Sequence, residues 1–337
     1  MNESIDAIKA KWRYASVLMT YGCTVACEHC CFSCSPERDS QVVDVARAVG
    51  YLGEFHKLDR AMHVAGGEPF KHYDRLRAIL VEAKRAGVPP HFVESNGSWC
   101  VDDELVRERF LELRETGIMW MLISTDNYHL RRIPVERIWR ALRIAEDVFG
   151  QGTTMGLVSE DDLMSRARTM ADEDTWRTHI AGHPPKLLSS AARNLAQYVP
   201  NRPLSELKLE TGWGIDPSDS CDREWDPLWE IHVDPYGNVQ TNCGIILGNA
   251  DAVPVSELAL TWHERNPILG QIAKRGVAAI VDIARAHGFE PKECYPQNCN
   301  LCWELRLFLR KRGSEFASLF GPDEVYENRL RACVDES

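Results

Sequence analysis

Residues 19–34 read MTYGCTVACEHCCFSC and hold five of the twelve cysteines of this chain. Cys23, Cys27 and Cys30 stand at C-x3-C-x2-C spacing, directly after an apolar run at residues 16–19. Three thiolates on one short loop can hold three irons of a four-iron cubane and leave the fourth iron with an open coordination position. The stretch therefore predicts an iron–sulfur cluster that binds a ligand as well as carrying an electron.

The same stretch resembles the cluster loop of the radical S-adenosylmethionine (SAM) enzymes. A second, overlapping set, Cys27, Cys31 and Cys34, repeats the spacing. We favour the first set, because residues 20–22 supply the short exit from a strand that the family places before its first ligand. The family usually has an aromatic residue directly after its third cysteine. Here Cys31 takes that position, and Phe32, the candidate cofactor contact, follows it.

Two other uses of these cysteines compete with a cluster. Cys27 and Cys30 form a C-x2-C pair, which with a second pair elsewhere would suit a zinc site. A disulfide scaffold fits less well, because the chain is long, opens without a secretory signal and crowds its cysteines too closely for them to pair among themselves.

Composition narrows the class of protein. The 337 residues are enough for a large core, and no apolar run reaches the roughly 18 to 20 residues that span a bilayer. A net charge of −11 without a basic stripe argues against nucleic acid as a partner. Twelve mostly unpaired cysteines suit a reducing compartment. We therefore expect a cytoplasmic protein with no membrane or nucleic-acid partner.

Apolar and helical segments alternate with a spacing of about 30 residues, which indicates parallel strands and right-handed crossovers. Polar motifs follow the first four strands, at the ends that form the active face of a β/α barrel. The predicted fold is α/β, a partial (β/α)6 TIM-like barrel over residues 15–212 after a capping segment at residues 1–14, and the resemblance implies the same barrel. The predicted strands are residues 16–20, 61–65, 91–94, 118–123, 153–158 and 204–209.

Gly66, Gly67 and Glu68 follow the second predicted strand. Glycines let the backbone approach a ligand closely, and the carboxylate can accept hydrogen bonds from an ammonium group. A glycine pair alone is more often a turn. After a cysteine loop, the resemblance implies that this segment holds the amino group of the methionine part of SAM.

Polar residues also follow the third and fourth predicted strands. Asn96 belongs to a Ser-Asn-Gly segment that is either a turn or, by resemblance, part of the cofactor pocket. Ser124 and Asp126 stand where family members contact the ribose or the methionine carboxylate, with helix capping as the alternative. His129 and Cys34 are the candidates for a catalytic contact, although a lone histidine is more often structural.

A second group of cysteines comprises Cys221, Cys243, Cys299 and Cys302. The first two flank a predicted hairpin at residues 229–239. This arrangement resembles the SPASM and twitch branch of the family, whose barrel is followed by a small C-terminal auxiliary iron–sulfur domain. We assign residues 213–337 to such a domain with one auxiliary 4Fe-4S cluster. Cys294 is a possible substitute ligand, and a zinc knot is the alternative.

The resemblance implies reductive cleavage of SAM to a 5′-deoxyadenosyl radical, which takes a hydrogen atom from the substrate. Modification of a ribosomally made peptide by cross-linking, thioether formation or epimerisation is the favoured reaction. Oxidation or rearrangement of a sugar, nucleoside or amino acid is the first alternative, and a non-catalytic zinc or iron–sulfur scaffold is the second. A flavodoxin or ferredoxin is the expected reductant. Beyond the uses named above, Cys31, Cys34, Cys294 and Cys333 have no assigned role.

Overall fold

The computed structural model describes residues 8, 11, 13–38, 41–150, 159–210 and 228–326. Most of its strands form one seven-stranded sheet in the order β4-β3-β2-β1-β6-β7-β8. Strands β5 and β9 form a separate antiparallel pair. The strands are β1 (Tyr14–Leu18), β2 (Ala61–Ala65), β3 (Phe92–Ser95), β4 (Trp120–Ile123), β5 (Arg202–Pro203), β6 (Glu230–Val233), β7 (Asn238–Thr241), β8 (Ile246–Asn249) and β9 (Cys294–Tyr295).

Helices follow the first four strands and cover the sheet. The helices are α1 (Val45–Lys57), α2 (Tyr73–Arg85), α3 (Asp103–Glu115), α4 (Asn127–Leu130), α5 (Val135–Phe149), α6 (Glu160–Ala171), α7 (Glu173–Gly182), α8 (Ser189–Asn194), α9 (Val255–Arg265), α10 (Pro267–Arg275), α11 (Val277–Ala286), α12 (Asn298–Leu309), α13 (Ser314–Leu319) and α14 (Asp323–Tyr326). None of the described helices has both the length and the apolar character needed to span a bilayer.

The parallel α/β architecture is confirmed by the pairing of neighbouring strands. β1 pairs in parallel with β2, β2 with β3, and β3 with β4, each through an intervening helix. The predicted hairpin is also present, because β6 and β7 pair antiparallel. It continues the barrel sheet, since β6 pairs in parallel with β1. The hairpin thus lies directly beside the strand that leads into the cysteine loop.

Three expectations from the sequence differ from the structure or lie outside it. The predicted fifth strand, residues 153–158, lies outside the described residues. The predicted sixth strand is wrong, because Leu204–Glu206 forms a 3-10 turn. Apolar residues at helical spacing in residues 268–286 also predict one connecting helix. This prediction is wrong, since Gly276 adopts a φ of +57° and separates α10 from α11. Glycine tolerates this left-handed backbone, so it ends one helix and begins the next.

The sheet buries apolar side chains on two sides. Val17, Val64 and Val93 are fully buried in the main core, which includes apolar residues of the covering helices. A separate cluster of Ala61, Phe92 and Trp120 lies where β2, β3 and β4 begin. This cluster fills the amino end of the barrel with apolar side chains, so the space available to a ligand lies towards the carboxyl ends.

A buried carboxylate fastens the hairpin to the cysteine loop. Asp234 is fully buried, and its Oδ1 accepts hydrogen bonds of 2.9 Å from the backbone N–H groups of Tyr236 and Asn238, which closes the hairpin turn. Its Oδ2 accepts the hydroxyl of Tyr21, two residues before Cys23, at 2.9 Å. The Asn238 side-chain amide donates to the same Oδ2 at 2.9 Å.

We predict that Asp234→Asn destabilises the protein. The new amide places a donor where Tyr21 and Asn238 already donate, and a buried donor left unsatisfied costs about 1 to 3 kcal/mol. Chemical denaturation of purified protein would measure the loss in free energy of unfolding. Asp251→Asn is the matched control, because the exposed pair of Asp251 with Arg47 contributes about 1 kcal/mol or less. Equal losses in the two variants would contradict the assigned role.

Candidate functional site

The cysteine loop folds back on itself and on the end of β2. The backbone N–H of Cys23 donates to the carbonyl of Ser35 at 3.0 Å, which closes the loop. The backbone N–H of Glu68 donates to the carbonyl of Gly22, also at 3.0 Å. The loop is therefore fixed at the carboxyl ends of the parallel strands, which is the active edge predicted from the sequence.

A cavity of about 410 Å³ opens at this edge. It is bordered by all five cysteines of the loop and by polar residues from the ends of several strands. From the predicted site, its lining includes Cys23, Cys27, Cys30, Cys31, Phe32, Cys34, Gly66, Gly67, Asn96, Ser124 and His129. The fold therefore brings together residues that lie up to about a hundred positions apart in the chain.

Two sulfurs of the favoured cysteine set accept hydrogen bonds. Asn96 Nδ2 lies 3.4 Å from Cys23 Sγ, and the backbone N–H of Cys34 lies 3.3 Å from Cys30 Sγ. Hydrogen bonds from Cys34 outweigh burial and lower the pKa of the Cys30 thiol below its usual range. Burial raises the pKa of Cys23 to about 12. Donors directed at sulfur stabilise thiolates, the form that binds iron.

The glycine pair serves a close contact between two protein segments. A Cβ atom at Gly67 would lie 1.9 Å from the carbonyl oxygen of Gly22, and one at Gly66 would lie 2.8 Å from Leu18 Cα. Both residues also have positive φ angles, +55° and +87°. Only glycine fits here, because the end of β2 touches the backbone of the cysteine loop while it borders the cavity.

Glu68, a predicted contact of the SAM amino group, makes its hydrogen bonds within the protein. Glu68 is fully buried and does not border the cavity. Its Oε1 accepts hydrogen bonds from Phe70 N at 3.1 Å and Ser95 Oγ at 2.9 Å, and its Oε2 accepts from Asn96 N at 2.7 Å. Protein donors reach both oxygens, so this side chain positions Asn96 and the glycine pair.

Asp126 likewise serves the protein. Its Oδ1 accepts the backbone N–H groups of Tyr128 and His129, which caps α4, a short helix missed in the sequence. Its Oδ2 lies 2.6 Å from His129 Nδ1. Burial opposes the charged imidazole, but hydrogen bonds with Asp126 and Cys27 raise the pKa of His129 to about 10. His129 therefore presents a cation beside Cys27, and Asp126 orients it.

Comparison with known proteins identifies the family. The model of the radical SAM superfamily matches residues 17–187, about half of the chain. The chain belongs to the radical SAM superfamily. A protein of Bacillus subtilis (strain 168) described as "Putative peptide biosynthesis protein YydG" is 28% identical over 115 residues, which are 34% of this chain and 36% of that protein. The match thus spans about a third of that relative's length.

Some solved structures also show similarity to this chain. BtrN in complex with AdoMet and 2-DOIA aligns with a TM-score of 0.42 and 16% identity over 79% of this chain and 87% of that chain. Streptococcus suis SuiB bound to S-adenosylmethionine gives 0.36 and 12% over 77% and 67%. The protein anSMEcpe with bound AdoMet and Cp18Cys peptide gives 0.32 and 11% over 90% and 96%.

A radical SAM enzyme needs a 4Fe-4S cluster and SAM, and the residues around this cavity fit both. Three cysteines of one loop border it, and two of their sulfurs already accept N–H donors. Phe32 and Ser124 border the same cavity and supply an aromatic and a hydroxyl surface. The arrangement can hold a cluster at one wall and a ligand of that cluster in the remaining space.

The second cysteine group is partly assembled around a buried cation. Arg306 is only 3% exposed, and it donates to the Cys243 carbonyl at 2.7 Å and to Cys243 Sγ at 3.5 Å. Burial raises the pKa of Cys302, against the lowering effect of the same guanidinium. Cys299 precedes Cys302 by three residues on α12. Two thiols and a helix turn therefore converge here.

The remaining cysteines of the C-terminal region lie apart from this group or outside the described residues. Cys294 is exposed in β9. Cys221 and Cys333 lie outside the described residues. Sequence reasoning missed Arg306, although a signal existed, because an arginine four positions after a cysteine lies on the same face of a helix.

We predict that Glu68→Gln lowers stability and leaves SAM affinity nearly unchanged. The new amide would oppose N–H donors, at a cost of about 1 to 3 kcal/mol in the free energy of unfolding. Burial raises the pKa of Glu68 from 4.5 to about 7. Wild-type stability should therefore fall as pH rises through that window, because the native carboxyl holds its proton more tightly than the unfolded one. The variant should lack this slope.

Denaturation curves between pH 4.5 and 7.5 and SAM titrations at a temperature where both proteins are folded would test this. A fall of about tenfold or more in SAM affinity, the size expected when a charge-assisted hydrogen bond is lost, would return the carboxylate to the cofactor site.

Proposed function

We propose that this protein is a radical SAM enzyme that modifies a ribosomally made peptide by cross-linking, thioether formation or epimerisation. The observation that carries this proposal is the match over 115 residues to a protein named for peptide biosynthesis. The family supplies the radical chemistry, and the relative favours a peptide as its target. The reaction would take place in the cytoplasm with a flavodoxin or ferredoxin as the electron donor.

The chain's own residues would divide the work at the cavity. Cys23, Cys27 and Cys30 would hold the cluster, with Asn96 donating to the first sulfur. When bound, the cluster and SAM supply an electron and a 5′-deoxyadenosyl radical, which takes a hydrogen atom from the substrate. The backbone of Gly66 and Gly67 would border the methionine part of SAM. Enclosure by the loop would keep water from the reacting atoms.

The second cysteine group would serve cross-linking or thioether formation, which oxidise the substrate, and not epimerisation, which does not. Cys243, Cys299 and Cys302, completed by Cys221, would hold an auxiliary 4Fe-4S cluster that accepts an electron from the substrate. Arg306 would stabilise thiolates there, because a buried guanidinium beside two thiols compensates their negative charge. Cys243 follows β7 of the hairpin, and the hairpin belongs to the same sheet as β1. This position supports the assignment.

SAM cleavage by the favoured cysteine set is the first test. After anaerobic reconstitution with iron and sulfide, reduction with dithionite should yield 5′-deoxyadenosine, measured by liquid chromatography and mass spectrometry. Cys23→Ala should abolish this product. Cys34→Ala should keep most of it, because the backbone N–H that donates to Cys30 Sγ remains in that variant. The reverse result would move the cluster to Cys27, Cys31 and Cys34.

A peptide encoded beside the gene for this chain tests the substrate class. We expect reduced enzyme and SAM to change its mass or, in D2O, to introduce deuterium at an epimerised α-carbon. Mass spectrometry of fragments would locate the change. If 5′-deoxyadenosine forms while the peptide stays unaltered, the small-molecule reaction replaces the peptide reaction.

The metal of the second group is tested by removing the first. Alanine at Cys23, Cys27 and Cys30 together should leave about four irons per chain, by the stoichiometry of a four-thiolate cubane. That protein should contain sulfide and should not cleave SAM. Further replacement of Cys302 should remove the iron, whereas replacement of buried Cys100, which belongs to neither group, should not. One zinc per chain without sulfide would instead support the zinc knot.

A further inference from the structure

The inner layer of the barrel carries polar side chains where a packed barrel usually has branched apolar ones. Ser16 on β1 lies opposite His63 on β2 and opposite His232 on β6 in the strand register. All three residues are buried, with exposed fractions of 0%, 1% and 4%. Three neighbouring strands therefore present a hydroxyl and two imidazoles at one level, and on β3 the same register continues to Phe92 of the apolar cluster.

Two carboxylates lie beside this layer, Glu94 on β3 and Glu230 on β6. His63 Nε2 lies 3.2 Å from Glu94 Oε1 and 3.6 Å from Glu230 Oε1. His232 Nε2 lies 3.8 Å from the same oxygen of Glu230. The side chains of Glu94 and Glu230 are 38% and 12% exposed. We call this layer, with its two carboxylates and two imidazoles, the floor, and it is most exposed at Glu94.

The floor belongs to the cofactor cavity. Glu94, Glu230 and His232 border the same cavity as the cysteine loop, and Asn242 borders it beside them. Among the described residues, neither ring nitrogen of His63 or of His232 has a partner with hydrogen-bond geometry. His63 Nε2 faces the Glu94 carboxylate, whereas His232 itself borders the cavity. Buried polar atoms are nearly always hydrogen-bonded, so the ring nitrogens of His232 indicate room for a ligand that hydrogen-bonds there.

The charges of the residues in the floor indicate what kind of ligand it would bind. Burial opposes the cationic form of His63, but Glu94 and Glu230 outweigh it and raise the pKa of that ring. Burial lowers the pKa of His232 to about 3, so this ring is neutral and offers a lone pair. The two carboxylates outnumber the one imidazole that their charge favours as a cation, His63, so the layer keeps a net negative charge, and neutral His232 adds an acceptor. Lys186 also borders the cavity, where its charge acts on Cys31.

We propose that this floor is a substrate subsite that binds a cationic side chain, an ammonium or guanidinium group of the peptide. The inference rests on the proposed function, because it names the part of the peptide that enters the cavity. The net charge of −11 favours approach of a basic peptide. Seated on Glu94 and Glu230, such a group would hold the neighbouring residue of the peptide near the cysteine loop.

Binding of small probes tests the subsite without turnover. N-acetyl-L-arginine amide carries the guanidinium, and N-acetyl-L-citrulline amide has nearly the same shape without the charge. Dissociation constants would be measured by ligand-observed NMR on reconstituted enzyme with SAM under anaerobic conditions. The arginine probe should bind about tenfold more tightly or better, as expected for charge-assisted hydrogen bonds. Equal affinities for the two probes would overturn the proposal.

Variants show whether the named carboxylates cause the preference. In Glu94→Gln/Glu230→Gln the two probes should bind within about twofold of each other, because the charge that distinguishes them is gone. Glu82→Gln, on the outer helix α2, should keep the full preference. If the double variant does not fold, the single variant Glu94→Gln is measured instead, because the side chain of Glu94 is partly exposed. Glu94→Gln should reduce the preference for the arginine probe about threefold or more.

A preference that survives removal of these carboxylates would refute the subsite. The probe measurement stays separate from the proposed function, which is judged by 5′-deoxyadenosine and the altered peptide. A protein that cleaves SAM and modifies a peptide but binds both probes equally would refute only the subsite. A protein that prefers the arginine probe but leaves SAM intact would refute only the function.

Discussion

The contact on which the site depends is the backbone approach between Gly67 and Gly22. No side chain fits between them, since a Cβ at the former would lie 1.9 Å from the carbonyl oxygen of the latter. Glu68 stabilises this contact in two ways. Its backbone N–H donates to the carbonyl of Gly22, and its carboxylate accepts the backbone N–H of Asn96. Asn96 in turn donates to Cys23 Sγ. A chain of short contacts thus connects two strand ends with the first cysteine.

This arrangement gives Glu68 a positioning part in the chemistry. A buried carboxylate is costly unless its oxygens accept hydrogen bonds, and here three donors from two strands satisfy them. The result is a rigid frame around the cavity. Pre-organised surroundings lower the cost of holding a ligand in one orientation, which is the contribution a protein can make when a cofactor supplies the reactive species.

A second buried carboxylate joins the two cysteine groups into one structure. Asp234 closes the turn of the β6–β7 hairpin and accepts the hydroxyl of Tyr21. Because β6 also pairs with β1, the hairpin that leads to Cys243 and the strand that leads to Cys23 are neighbours in one sheet. The region assigned to an auxiliary domain therefore begins within the barrel sheet, and the domain division itself stays a prediction.

The sequence by itself determined the family, the cysteine loop and the parallel strands, because these depend on local spacing and on alternating apolar and helical segments. It did not reveal the hydrogen bonds that the carboxylates of Glu68 and Asp126 accept from backbone N–H groups, because those donors are not part of the motif. Tertiary structure alone set His63 beside Glu230, and Arg306 beside Cys243. These partners lie many residues apart, so only strand register and helix packing decide which polar groups meet and which are left facing a cavity.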